Sequence, residues 1–303
     1  MPLRITKNID EANLITHSST FHPDDVFSTA FLSKIIDNPV VCRVNKLEEV
    51  NSNAIIYDIG FGEFDHHGPD ARMRNDKIKY CSFGLLWERF GPDYTKKINP
   101  KNSEKLWKAI DEKLIMQIDG IDNGLFPKIE AAYHLTDLDK VIDLFNKAWN
   151  EDVDNDDNFM VSVSIAEKIF DRMIIKENAL IEAANIVEKE LDNVKDGILE
   201  LKEYIPYQEA IFHSENPKSK EIKVVIYPSN RGGYCIKPIT VSEFSKELAY
   251  QFDKKFYGLH DEELANVSGI KTARFVHSSG FLACSETLED AYALAQNAIK
   301  NKE

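Results

Sequence analysis

Long hydrophobic runs are missing from this chain of 303 residues, so no segment offers the roughly 20 consecutive apolar residues that a membrane-spanning helix needs. Residues Met1 to Ile15 alternate polar and apolar side chains and include acids, which excludes a secretory signal and an Arg-rich transit peptide. Cysteine is scarce: Cys42, Cys81, Cys235 and Cys284 lie far apart with no paired spacing. That excludes a disulfide scaffold and a zinc–thiolate site, reads all four as small apolar fillers, and points to a reducing cytoplasm. Basic charge is short as well, with 37 Lys and Arg against 51 Asp and Glu and a net charge of −14. A protein that grips long duplexes through many phosphates carries a basic face, because counterion release drives that binding. A nucleic-acid substrate is therefore expected to be short or single-stranded, held by metal cations and a few Arg or Lys. Internal repeats and low-complexity tracts are also absent.

What is present is the pattern of an α/β protein long enough for two domains. Leu14–Thr16 reads as a strand that leads into a polar loop, His17–Asp25. From Asp24 the spacing turns helical, with Val26, Phe27, Ala30, Phe31 and Ile35 at intervals of three and four and Asn38-Pro39 as the stop. Val40–Val44 and Ala54–Tyr57 read as strands, Ser82–Phe90 as a helix closed by Gly91-Pro92, and Ser103 to about Met116 as another. Alternating strands and helices predict a parallel sheet with crossover helices, whose ligands bind beyond the carboxyl ends of the strands. Asp152, Asp154 and Asp156 mimic the start of a calcium loop, but Asp157 and Val163 stand where Gly and Glu belong, so the run reads as a solvated linker or helix start. Asn158 to about Leu201 is a long helical pattern connecting two domains. Ile222–Tyr227 and Tyr234–Ile239 flank Pro228–Gly233 as a hairpin, and a last helix runs from about Glu286 to Lys300.

The side chains that can bind metal gather early. Four of the eight histidines (His17, His22, His66, His67) are interleaved with Asp24, Asp25, Asp58 and Asp65 at the ends of successive strands. Any one of them alone is more often a cap or a surface group; the ordered set is not. Mixed His and Asp ligands suit manganese, zinc, iron or magnesium. Asp58 ends an apolar strand, where a carboxylate needs a cation, and is the candidate bridge between two ions. In Asp65-His66-His67 one imidazole can bind metal while the other serves a phosphate or steadies a ligand. Asp119 and Asp122 add two carboxylates after a predicted helix, and Arg72 and Arg74 are candidates for a substrate phosphate. Two ions around a shared carboxylate activate a water and neutralise a phosphate ester.

The order Thr16-His17-x-x-x-Phe21-His22-x-Asp24-Asp25, Asp58-Ile59-Gly60, Phe64-Asp65-His66-His67 and Asp119-Gly120-Ile121-Asp122-Asn123-Gly124 resembles the melanocyte proliferating gene 1 protein family, within the DHH phosphoesterase superfamily. Val267-Ser268-Gly269-Ile270 and Phe275-Val276-His277-Ser278-Ser279-Gly280-Phe281 belong to the same resemblance, which covers essentially the whole chain. It implies a metal-dependent 3′–5′ exonuclease, best described for RNA, in two α/β domains with the active site in the cleft between them. Carried over, His17, His22, Asp24, Asp58, His66 or His67, and one of Asp119 and Asp122 would hold two divalent ions, manganese first and magnesium as the alternative. Asp122-Asn123-Gly124-x-Phe126 favours Asp122. His277, Ser278 and Gly280 would form a substrate-binding loop, with Lys271 and Arg274 nearby for phosphate.

The expectation is a phosphodiesterase with a metal-binding catalytic domain over residues 1–150, a helical connector over 151–204 and a substrate-binding domain over 205–303. Asp58, His66 and His67 carry the chemistry, with His66 or His67 assisting at the phosphate or leaving group. Three alternatives stand beside it: a small-molecule phosphatase or pyrophosphatase with the same metals, a non-catalytic nucleotide sensor, and a purely structural metal site with no open position for water.

Overall fold

The computed structural model describes residues 2–47, 53–69 and 71–301 and separates into two compact units, Met1–Asn178 and Ala179–Glu303. The first unit runs β1 (Arg4–Thr6), β2 (Leu14–His17), α1 (Pro23–Ile35), β3 (Val40–Val44), β4 (Ile55–Ile56), α2 (Ser82–Ile98), α3 (Ser103–Ile110), α4 (Met116–Asp122), α5 (Leu138–Asp143) and most of α6 (Asn155–Glu190). Its four strands order as β1-β3-β2-β4, every neighbouring pair parallel. The expected parallel sheet is therefore present, and its inner strands are buried on both faces, as crossover helices require. β2 and β4 are neighbours, so His17 at the end of one and Asp58 just beyond the other emerge at the same carboxyl edge.

α1 starts on Pro23, whose fixed φ suits the first helical position, with Asp24 and Asp25 in the first turn, where the helix dipole favours negative charge. The helix is buried on all sides from Pro23 to Leu32, rather than along the single stripe that its spacing predicts.

Gly91-Pro92 does not end α2, which continues to Ile98. An internal proline costs a helix about 3 kcal/mol, and continuing carries Tyr94 into ring contacts with Phe31, Trp87 and Phe170 at centroid distances of 5.5, 6.4 and 5.9 Å. Three such contacts, at about 0.5–1.5 kcal/mol each beyond buried area, offset the loss. Gly91 is required here: a Cβ would lie 2.8 Å from both the Trp107 and Trp87 rings. Gly91→Ala should therefore destabilise by about 1–3 kcal/mol through overpacking, although helix propensity alone predicts a gain near 1 kcal/mol. Urea denaturation reads the sign directly.

α3 passes through a π-turn, Asp111–Ile115, into α4. Asp119 and Asp122 thus lie within a helix and not after one. The apolar period predicted through Leu201 also misleads at its end. α6 stops at Glu190; Asp196 and Gly197 adopt φ of +55° and +81°, and Ile198–Glu200 forms a strand. The acidic run leads into the first turn of α6, the helix start that is one of its two readings, and Asp156 there is buried against Arg43.

The second unit continues with β5 (Ile198–Glu200), α7 (Gln208–His213), β6 (Val224–Pro228), β7 (Tyr234–Pro238), α8 (Asp261–Ser268), β8 (Ala273–Val276), β9 (Ala283–Ser285) and α9 (Leu288–Lys300). Its sheet orders as β5-β6-β7-β9-β8. β5 pairs with β6 in parallel, and the remaining pairs are antiparallel. The hairpin around Pro228–Gly233 is present as expected, while β8, β9 and α8 lie in stretches without a clear period. Among the described residues no helix is long and apolar enough to cross a membrane.

Candidate metal centre

The carboxyl edge of the first sheet collects its titratable side chains around Asp58. Among the described residues three groups place their ligand atoms within 4.8 Å of one another: His17, Asp25 and Asp58; Asp24, His66 and Asp122; and Asp58, His66 and His67. His17 Nε2 lies 3.1 Å from Asp58 Oδ2 and 3.5 Å from Asp25 Oδ2. His66 Nε2 lies 3.2 Å from Asp58 Oδ1, 3.2 Å from Asp122 Oδ2 and 3.4 Å from Asp24 Oδ2. Asp58 thus presents one oxygen to each side. Asp25 completes one group although its position at the helix start reads from sequence as a cap. That role exists too, since its other oxygen accepts from the His22 amide at 2.8 Å.

Local structure explains how each group is aimed. Asp58 has a φ of +57°, a left-handed conformation that Asp tolerates better than most residues but that still costs energy. Its amide donates to Phe64 O at 3.0 Å, which fixes the turn. Asp24 accepts from the Ser82 and Phe83 amides at 3.2 and 2.8 Å, so the amino end of α2 holds it. Asp65 is a scaffold, accepting from the Phe61 amide at 2.6 Å, the His67 amide at 3.1 Å and His67 Nδ1 at 2.8 Å. The His17–Phe21 loop is clamped from behind by Arg43, which donates to His17 O, Ser19 O and Asp156 at 3.2, 2.9 and 2.9 Å. Nothing in the spacing of Arg43 or Asp156 signals that role.

Four carboxylates (Asp24, Asp25, Asp58, Asp122) share this edge. Burial, then the charges of Asp58 and Asp122, push the Asp24 carboxyl well above its ordinary range, and burial lifts Asp25 to about 6. Burial would raise Asp58 too, but His17 and His66 overcome it and hold Asp58 low. Burial works against a proton on His17, yet Asp58 and Asp25 win and raise it to about 9. Asp25 Oδ2 and Asp58 Oδ1 are buried with no aligned hydrogen bond and face the imidazoles of His17 and His66, an expense a protein seldom bears without another use for the atom. Excess negative charge, oxygens without an aligned hydrogen bond and neutralisable imidazoles fit divalent cations.

His22 stands apart from these groups. It lines the adjoining cavity of about 770 Å³ together with His17, Asp58, His66, His67, Lys79 and Asp122. Asp119 does not join the cage. Its Oδ2 meets Arg74 Nε at 2.5 Å and its Oδ1 accepts from the Cys81 amide at 2.8 Å. Arg74 also grips Asp111 through two nitrogens at 2.6 and 2.8 Å, with its side chain only 7% exposed. A guanidinium so engaged is a buried tie and not a phosphate ligand. Arg72 pairs with Glu88 at 2.6 Å. The cation that does line the cavity, Lys79, drew no notice in the sequence, where it is one lysine in a polar loop.

In the second unit the predicted substrate residues fall in different places. His277 follows β8; its Nδ1 lies 2.9 Å from Ser279 Oγ, and its carbonyl accepts from the Gly280 amide at 2.8 Å. Gly280 has a φ of +70°, and a Cβ there would strike Tyr257 Oη at 2.3 Å, so this turn requires glycine. Ser278 is exposed within the same turn. Lys271 lies in the turn before β8, at the opposite end of that strand from His277. Arg274 donates to Gly232 O at 3.0 Å and pairs with Glu286 at 3.3 Å.

The profile of a family described as Uncharacterised protein family (UPF0160), MYG1_exonuc, matches residues 13–299. The MYG1 protein of Dictyostelium discoideum is 26% identical over 316 residues, covering 95% of this chain and 96% of that one. The MYG1 exonuclease of Homo sapiens is 26% identical over 322 residues, covering 95% and 85%. Among solved structures, the chain is similar to the pGpG-specific phosphodiesterase PggH of Vibrio at 14% identity, over 95% of this chain and 98% of that one, with a TM-score of 0.33.

Proposed function

The chain belongs to the MYG1 exonuclease family (UPF0160), and from that premise we propose that it is a metal-dependent phosphodiesterase, a 3′–5′ exonuclease acting on RNA or short oligonucleotides. The observation that carries this reading is Asp58: one buried carboxylate shared between the His17–Asp25 group and the His66–His67 group, with His66 also facing Asp24 and Asp122. Two divalent ions, manganese or magnesium, would supply Lewis acidity and a water of lowered pKa at these residues. His17, Asp25 and Asp58 would hold one, and Asp24, His66, Asp122 and Asp58 the other.

The chain's own groups divide the remaining work. His67 is oriented by Asp65 through Nδ1, which leaves Nε2 as the ring position free to exchange a proton with a leaving group. Lys79 is the cation placed to receive a phosphate oxygen. The proposal includes the DHH-type division of labour, with residues 1–150 catalytic, 151–204 connecting and 205–303 binding substrate through the His277–Gly280 turn. A net charge of −14 and the acids around the cavity favour short substrates over long duplexes.

Two measurements test this reading. With manganese added, short RNA should release mononucleotides from its 3′ end, and dinucleotides should also be cut. Turnover of pyrophosphate or nucleoside bisphosphates alone would move the protein to the small-molecule phosphatases, and tight nucleotide binding without turnover would make it a sensor. Lys79→Ala should raise KM on the order of tenfold, the loss of about 1.4 kcal/mol of binding, with a smaller change in kcat and unchanged metal content.

A further inference from the structure

Cys235 on β7 faces Cys284 on β9 across an antiparallel pair, and their Sγ atoms are 3.2 Å apart. Directly opposed residues in such a pair have Cα atoms about 4.5–5.5 Å apart, within the span a disulfide bridges without moving the backbone. Both cysteines are free thiols. Though buried, they sit at the wall of a cavity of about 550 Å³ together with Tyr204, Tyr227, Arg231 and Arg274, which brings open space up to the pair. Two guanidinium groups at the same cavity favour a thiolate there.

We propose that Cys235 and Cys284 form a peroxide-reactive dithiol site that closes reversibly into a cross-strand disulfide joining β7 to β9. The Cys235 thiolate attacks one oxygen of hydrogen peroxide; the O–O bond breaks, hydroxide leaves, and Cys235 becomes a sulfenic acid. The Cys284 sulfur then attacks the Cys235 sulfur, the S–O bond breaks, and the Cys284 proton departs with the oxygen as water. Two thiols are oxidised by two electrons, and one peroxide is reduced to two waters once the hydroxide takes up the proton first lost by Cys235. A dithiol reductant reverses the bond by exchange.

The surroundings favour Cys235 as the attacking group. A hydrogen bond from Cys284, supported by Ser229 and Tyr227 and by the charge of Lys237, brings the Cys235 thiol down to about 6 against the opposing effect of burial. Sharing its proton with Cys235, together with burial, pushes Cys284 up. Cys42 and Cys81 serve as internal controls, because burial pushes both thiols up.

The test exposes the reduced full-length chain to hydrogen peroxide and unfolds it in an alkylating reagent. Dithiothreitol then reduces it before a second, isotopically distinct reagent is added. Cys235 and Cys284 should carry the second label in equal proportion while Cys42 and Cys81 carry the first, and the unreduced digest should contain the 235–284 peptide pair. Cys284→Ser should abolish the 235–284 peptide pair and leave a dimedone-trappable, dithiothreitol-reducible sulfenic acid on Cys235. If that variant does not fold, the equal labelling and the cross-linked peptide in the unaltered protein decide the matter. First label on all four cysteines, unequal oxidation of the two, or an intermolecular cross-link would each overturn the proposal.

Discussion

Asp58→Asn should abolish both metal loading and hydrolysis while leaving the metal-free fold in place. Asparagine has nearly the shape of aspartate and tolerates the same left-handed backbone, so this change isolates the charge from the φ of +57°. Alanine would confound the two. Loss of a residue that merely supports a metal ligand typically costs 10–100-fold in affinity or activity; a carboxylate shared by two ligand groups should cost more than about a hundredfold in kcat/KM. Stability offers a second readout. Metal at about a hundred times its dissociation constant should stabilise the unaltered protein by about 2.7 kcal/mol, and the variant should show none of that rise. Without metal, their melting temperatures should be close, because removing one of four crowded carboxylates relieves repulsion while weakening the hold on His17 and His66. Hydrolysis persisting in Asp58→Asn would remove Asp58 from the centre of the proposal.

Arg74→Met should have the largest effect on folding. The substitution keeps a long apolar stem but leaves Asp111 and Asp119 facing each other without their shared cation. Asp119 is fully buried, and stranding a buried charge typically costs about 3–5 kcal/mol. For a unit of this size that corresponds to roughly 10 °C in melting temperature. A second change, Asp119→Asn, should recover part of the loss in the Arg74→Met background while being harmful alone, a coupling visible in a double-mutant cycle. A phosphate-binding Arg74 predicts the opposite pattern: an unchanged melting curve and a raised KM. Calorimetry and kinetics on the same variant separate the two.

Much of this centre was legible in the chain because metal chemistry restricts the choice of residue. Imidazole and carboxylate are the hard-to-borderline ligands available, so His17, Asp24, Asp58 and His66 stood out by type and by position after strands, and Asp122 by type. The α/β alternation, the parallel sheet and the β6–β7 hairpin followed from hydrophobic period alone. Misreadings arose where tertiary contacts outweighed local signals. Tyr94 drew α2 through Pro92, and strand pairing with β6 took Ile198 out of an apparently helical run. The cysteines, read as fillers, acquired a second possibility only because the sheet register sets two of them face to face.

Sequence by itself fixed the inventory of donors and the end of the sheet where they emerge, since residue type sets ligand chemistry and strand order sets direction. Residue type and period had no means of ranking Asp119 against Asp122, two identical side chains three positions apart on one helix, and only the family resemblance favoured Asp122. Tertiary structure decided between their surroundings by delivering Arg74 and the Cys81 amide to one and His66 to the other. The same holds for Lys79 over Arg74 and for Asp25 beside His17. A charged group's role depends on which opposite charge reaches it first, and that distance exists only in the folded chain.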